Sequence, residues 1–190
     1  MNNFIFEALD IEGAYIINSF FSEDNRGCFV KFFEKEIFES NGISFRCNES
    51  FISTSEKYVI RGMHFQTYHP QIKLVGVLIG KVFDVIVDLR KESRTFGQWR
   101  GYYLSSENRT SLLIPRGCAH GFISLSTQSM VSYQCDGAYN KATDTGIIYN
   151  DPEIGIEWPI NDLSRAILGT RDRKLMSFSY FRDHCSFIYK

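Results

Sequence analysis

The feature that most constrains this chain is a succession of short β-rich runs, each closed by a turn signal. Residues 58–65, 72–80, 82–89, 101–105, 111–114, 121–125 and 130–135 all read as strands. Residues 82–89 show the logic. Alternation puts Phe83, Val85, Val87 and Leu89 on one face and Val82, Asp84, Ile86 and Asp88 on the other. The Gly80-Lys81 step before that run reads as a tight reversal. Helix is scarce. Residues 34–40 suit two turns ended by Asn41-Gly42, and residues 162–168 suit a second short helix capped by Asn161 or Asp162. Many short strands with little helix imply an all-β sandwich or barrel. Its few short helices would then be peripheral.

No linker, repeat or low-complexity segment breaks the 190 residues, so residues 1–190 are expected to form one domain. The C-terminal aromatics Phe178, Tyr180, Phe181, Phe187 and Tyr189 are expected to pack on the body or on a second subunit. The formal charge of -1 supplies no basic excess for nucleic acid. A few local arginines can still bind a diphosphate without changing that total. No stretch approaches the roughly 20 apolar residues that span a bilayer, and residues 1–10 lack the pattern of a signal peptide. Five cysteines without paired spacing (Cys28, Cys47, Cys118, Cys135 and Cys185) suit reduced thiols in a cytoplasm.

Four histidines narrow the chemistry: His64, His69, His120 and His184. His64 lies within the first predicted strand. Arg61 falls on the opposite face of that strand unless Gly62 marks a bulge. His120 follows the turn Pro115-Arg116-Gly117, at the mouth of a strand, where ligand sites tend to form. Cys118 shares its face by even spacing, yet nothing marks it as a thiolate nucleophile. Position 66 is Gln, so a His-x-His metal motif is absent, leaving His64, His69 and His120 as the rival three-ligand set without a supporting carboxylate. No Gly-x-Ser-x-Gly elbow, Walker loop or Gly-x-Gly-x-x-Gly turn occurs.

A longer ordered string is more specific. It runs from Arg61-Gly62-Met63-His64-Phe65-Gln66 through Lys73-Leu74-Val75 to Gly80-Lys81-Val82-Phe83-Asp84-Val85. It continues through Asp88-Leu89-Arg90-Lys91-Glu92-Ser93, Thr95-Phe96-Gly97-Gln98-Trp99, Leu104-Ser105 and Ile114-Pro115-Arg116-Gly117. It closes on Ala119-His120-Gly121-Phe122, Asn150-Asp151 and Ile154-Gly155-Ile156-Glu157-Trp158-Pro159. Over residues 10–175 this string resembles the dTDP-4-dehydrorhamnose 3,5-epimerase family. The resemblance implies a cupin-like jelly-roll fold, a homodimer, and no metal or nicotinamide. It also implies an isomerase that inverts C3, C5 or both in a nucleotide-linked 4-keto-6-deoxy sugar, in deoxysugar and cell-surface polysaccharide biosynthesis.

By position the resemblance makes His64 the base, Asp172 its orienting carboxylate, Tyr133 the acid and Lys73 the cation beside the developing enolate. Arg61 and His120 match further residues of the sugar pocket. Arg26, Glu49, Tyr139, Asp144 and Arg171 fall at positions associated with nucleotide binding. Three residues depart from the family's usual pattern: Lys31 for glutamate, Glu49 for glutamine and Phe51 for asparagine. An ionised Glu49 only accepts hydrogen bonds. That suits the donors of guanine or cytosine better than thymine, so the carrier stays open between dTDP, CDP and GDP. A nucleotide-sugar 3,4-ketoisomerase and a non-catalytic sugar-binding cupin are the rival readings.

Overall fold

The computed structural model describes residues 3–188. In chain order its strands are β1 (Ile5–Ala8), β2 (Tyr15–Asn18), β3 (Phe20–Asp24), β4 (Gly27–Lys31), β5 (Glu49–Glu56), β6 (Val59–Gln66) and β7 (Lys73–Ile79). There follow β8 (Lys81–Asp88), β9 (Trp99–Ser105), β10 (Thr110–Ile114), β11 (Cys118–Ser124), β12 (Gln128–Cys135), β13 (Asp144–Gly146) and β14 (Ile167–Leu168). Helices α1 (Lys35–Ser40) and α2 (Phe178–His184) are short, as are 3-10 turns at Leu163–Arg165 and Asp172–Lys174.

Two sheets form the sandwich. The first has the order β1-β2-β10-β7-β12-β5, and the second the order β13-β6-β11-β8-β9, with β14 beside β6. Neighbouring strands are antiparallel except for β14 against β6. β3 and β4 form a separate hairpin. The alternation of β8 explains how the layers join. Val82 and Ile86 face the interior with Val75, Leu112, Phe122, Val131 and Tyr133. Phe83, Val85, Val87 and Leu89 pack on the outer side of the second sheet with Trp158, Phe178 and Phe181. Both faces of β8 are therefore covered, which at roughly 1.5–3 kcal/mol per large apolar side chain makes it a main source of stability. A third cluster, around Phe38 and Phe45, covers the outside of the first sheet.

The structure corrects several expectations. The Gly80 step is a corner between sheets, since β7 and β8 have their partners in different sheets. Gly80 holds φ +78 there, and a Cβ would strike the Gln128 carbonyl. β11 begins at Cys118, so His120 sits inside the strand and not at its mouth. Residues 162–168 do not make one helix. Asp162 caps a single 3-10 turn by accepting from the Ser164 N–H, and Ile167–Leu168 then join β6 as β14. Among the expected tail aromatics, Phe178 and Phe181 are buried on the body, Phe187 packs beside them and Tyr180 is exposed. Tyr189 lies outside the described residues.

Candidate active site

One cavity opens between the sheets. Phe51, Ser53, Lys73 and Tyr133 line it from the first sheet, and Arg61, His64 and His120 from the second. A local irregularity makes this set. Between the β11 partners His120 and Phe122 lies one residue, while between their β6 partners His64 and Arg61 lie two. The extra residue is a bulge, and it turns Arg61 and His64 onto the same side. Gly62 permits it, with φ +133 and its Cα packed so closely on β11 that a Cβ would lie 2.5 Å from Gly121 Cα.

His64 Nε2 lies 2.7 Å from Asp172 Oδ1. Asp172 is brought there by the 3-10 turn Asp172–Lys174, and its other oxygen faces the Gly62 N–H at 3.4 Å. Burial pushes the Asp172 carboxyl up, but the His64 hydrogen bond and charge, the Gly62 N–H and the nearby Arg171 outweigh it and hold it below the usual range. Asp172 therefore stays ionised and holds the imidazole in one orientation.

The opposing wall carries the phenol. Tyr133 is buried, and burial together with the Asp84 carboxylate pushes it well above its ordinary range, so it stays protonated. Burial likewise lowers the Lys73 ammonium, against the pull of Cys135 and Asp144. Lys73 is half-buried and lines the cavity.

His120 has a partner that the motif reading passed over. Its Nε2 lies 2.9 Å from both oxygens of Asp84, which is fully buried on β8. Burial raises the Asp84 carboxyl, and His120 and Lys73 oppose that rise. The signal was present in the alternation of β8, which aims Asp84 inward with Val82 and Ile86. Cys118 shares the inward face with His120, and burial pushes its thiol up, away from nucleophilic thiolate. His69 lines a different depression, and among the described residues no three His, Cys, Asp or Glu side chains converge as a metal site.

The remaining expected residues divide into two groups. Asp144 accepts from the Tyr139 hydroxyl at 3.0 Å and pairs with Arg171 at 2.8 Å. That hydrogen bond raises the exposed Tyr139 phenol. Arg171 adjoins Asp172 in sequence and so borders the dyad. Glu49, at the start of β5, accepts from Gln71 at 3.4 Å and lies opposite Cys135, which is opposite Lys73. Arg61 is anchored to the Ser55 hydroxyl at 3.0 Å and the Thr54 carbonyl at 2.9 Å. Arg26 is not brought to the cavity of this chain. It sits on the β3–β4 turn, paired with Asp24 at 2.6 Å, beside a separate surface depression. Lys31 pairs with Glu34 at 2.6 Å.

A β-sandwich whose interior presents a carboxylate-held imidazole on one sheet, and a phenol and an ammonium on the other, defines a cupin-type epimerase. Residues 8–180 match the family described as dTDP-4-dehydrorhamnose 3,5-epimerase, and the chain belongs to that family. The enzyme of that name from Methanothermobacter thermautotrophicus is 44% identical over 173 residues, 91% of this chain and 94% of the relative. The structure of a dTDP-6-deoxy-D-glucose-3,5-epimerase from Legionella pneumophila in complex with dTDP-4-keto-L-rhamnose superposes with a TM-score of 0.91. It is 35% identical, covering 98% of this chain and 99% of that one. A 3'-monoepimerase from Streptomyces bikiniensis in complex with dTDP-quinovose has a TM-score of 0.85 at 28% identity, covering 92% and 88%.

Proposed function

We propose that this protein inverts C3 and C5 of a dTDP-linked 4-keto-6-deoxy sugar, with His64 as base and Tyr133 as acid. The observation that carries the reading is the His64–Asp172 pair in one cavity with Tyr133, on opposing sheets. A hydrogen on carbon beside a ketone is weakly acidic. His64 removes it, and the C–H electron pair moves into an enolate whose oxygen the Lys73 ammonium stabilises. Tyr133 then protonates the carbon from the other side, the phenolate recovers a proton from solvent, and the His64 imidazolium releases its own to solvent. Arg61 and His120 hold the sugar, with Asp84 orienting His120.

Tyr139, Asp144 and Arg171 form one connected polar cluster, which supports their reading as nucleotide contacts. Glu49 is engaged by Gln71, and relatives carry dTDP ligands, so dTDP is the carrier favoured over GDP or CDP. Arg26 lies on an exposed hairpin, and Phe51 and Ile52 are exposed on the edge strand β5. Both features support a homodimer in which such surfaces meet a second copy. The shared interior of the two sheets supports one domain over residues 1–190. Five free cysteines suit a cytoplasmic enzyme.

The test is deuterium wash-in from heavy water, read by NMR at C3 and C5 with dTDP, GDP and CDP 4-keto-6-deoxy sugars. Wild type should label both carbons with the dTDP substrate, and His64→Ala should abolish labelling. Full exchange in His64→Ala would remove this histidine from the mechanism. Labelling at C3 alone would make the protein a monoepimerase.

A further inference from the structure

Phe51 stands on β5 directly opposite Tyr133 on β12. The two rings are stacked, with centroids 4.7 Å apart and planes 12° from parallel. On another side, Tyr133 meets the His120 ring edge-on at 5.8 Å and 71°. The β7 neighbour of Tyr133 is Val75, which has no flat face to offer. Tyr133 is 7% exposed and Phe51 is 44% exposed, so the Phe51 ring lies between the phenol and solvent.

We propose that Phe51 is a positioning residue for proton delivery, holding the Tyr133 phenol on the side of the cavity opposite His64. The inference rests on the reading of Tyr133 as the acid. Its chemistry is a competition for the enolate. With the phenol in place, the Tyr133 O–H bond breaks, a C–H bond forms on the far face, and solvent reprotonates the phenolate. With the phenol displaced, the His64 imidazolium exchanges its proton with solvent and returns one to the face the first came from. The second route exchanges the hydrogen without inverting the carbon.

Heavy-water reactions separate the two routes. Deuterium in recovered substrate reports exchange with retention, and labelled epimer reports inversion. Phe51→Ala and Phe51→Leu are expected to lower inversion about 10- to 100-fold, because a small misplacement of a reacting group is that costly. Exchange at the same carbon should stay within about threefold of wild type, and Phe51→Tyr, which keeps the ring, should stay within about threefold on both measures. Thermal unfolding of each variant shows whether it is folded. If Phe51→Ala is not, the comparison of Phe51→Leu with Phe51→Tyr carries the test. An unchanged ratio of inversion to exchange in Phe51→Leu overturns the inference, as does a parallel loss of both. Wild type that neither exchanges nor inverts overturns the proposed function as well, which distinguishes the two failures.

Discussion

His64 and His120 lie directly opposite one another on neighbouring strands of one sheet, yet each imidazole is held by a different carboxylate. Asp172 holds the first and Asp84 the second. The cavity thus has two histidine–aspartate pairs side by side, and their carboxylates differ in opposite directions. Asp172 is held below the usual carboxylate range and Asp84 is pushed above it. Asp172 thus keeps its charge beside His64, while Asp84 is buried between His120 and the Lys73 ammonium.

Asp172→Asn should lower the rate on the order of 100-fold or more with little change in KM, because an amide can donate to the ring and favour the wrong tautomer. Steady-state kinetics with melting curves check this. The folded pKa of Asp172 is depressed, so its contribution to stability is present above the unfolded value of 3.8 and is lost as pH falls through the folded value. The variant should therefore show a smaller loss of stability on acidification than wild type.

Lys73→Met should abolish turnover yet raise thermal stability by roughly 1 kcal/mol, since an ammonium in a desolvated cavity opposes folding. Its folded pKa is below 10.5, so the unfolded chain binds more protons between those two values. Wild-type stability should rise with pH across that window, and the variant should lack the rise. Calorimetry at several alkaline pH values measures both effects. A destabilised variant would show that Lys73 is held by favourable contacts.

Tyr133 should give no ionisation limb in the alkaline rate profile until well above pH 10, because its folded pKa is raised. The same sign means its contribution to stability is present below 10.0 and is lost as pH rises through the folded value. Ultraviolet difference titration of wild type against Tyr133→Phe assigns the transition. Loss of net inversion in that variant, with exchange retained, checks its role.

Gly62→Ala should destabilise the fold by roughly 2 kcal/mol or more, through both the positive φ and the approach of a Cβ to β11. Residual activity should fall further than stability explains, since relaxing the bulge separates Arg61 from His64. Denaturant unfolding beside turnover measured well below the midpoint tests the distinction.

The strands with two covered faces were legible in the sequence because their apolar alternation is strong, as in β8. β5 was not. Its residues Glu49–Glu56 are largely polar and it is an edge strand, so little burial marks it. β13 and β14 span only three and two residues and exist through pairing with β6. At the site, Asp172 looks like one charge in an Arg-Asp-Arg run until a contact spanning 108 residues joins it to His64. Local pattern cannot show that contact, whereas the resemblance of the ordered motifs could point to it. Asp84 was the reverse case, aimed inward by alternation and contained in the 80–85 motif, yet given no role by either. Arg26 was placed by position alone, and in this chain it stands apart from the cavity.

The late arrival of Asp172 also bears on how the enzyme comes into being. Every strand that walls the cavity precedes it along the chain, so the β-framework is synthesised before the carboxylate that holds His64. A chain cut just before residue 172 would keep every strand that lines the cavity and lose the carboxylate beside His64.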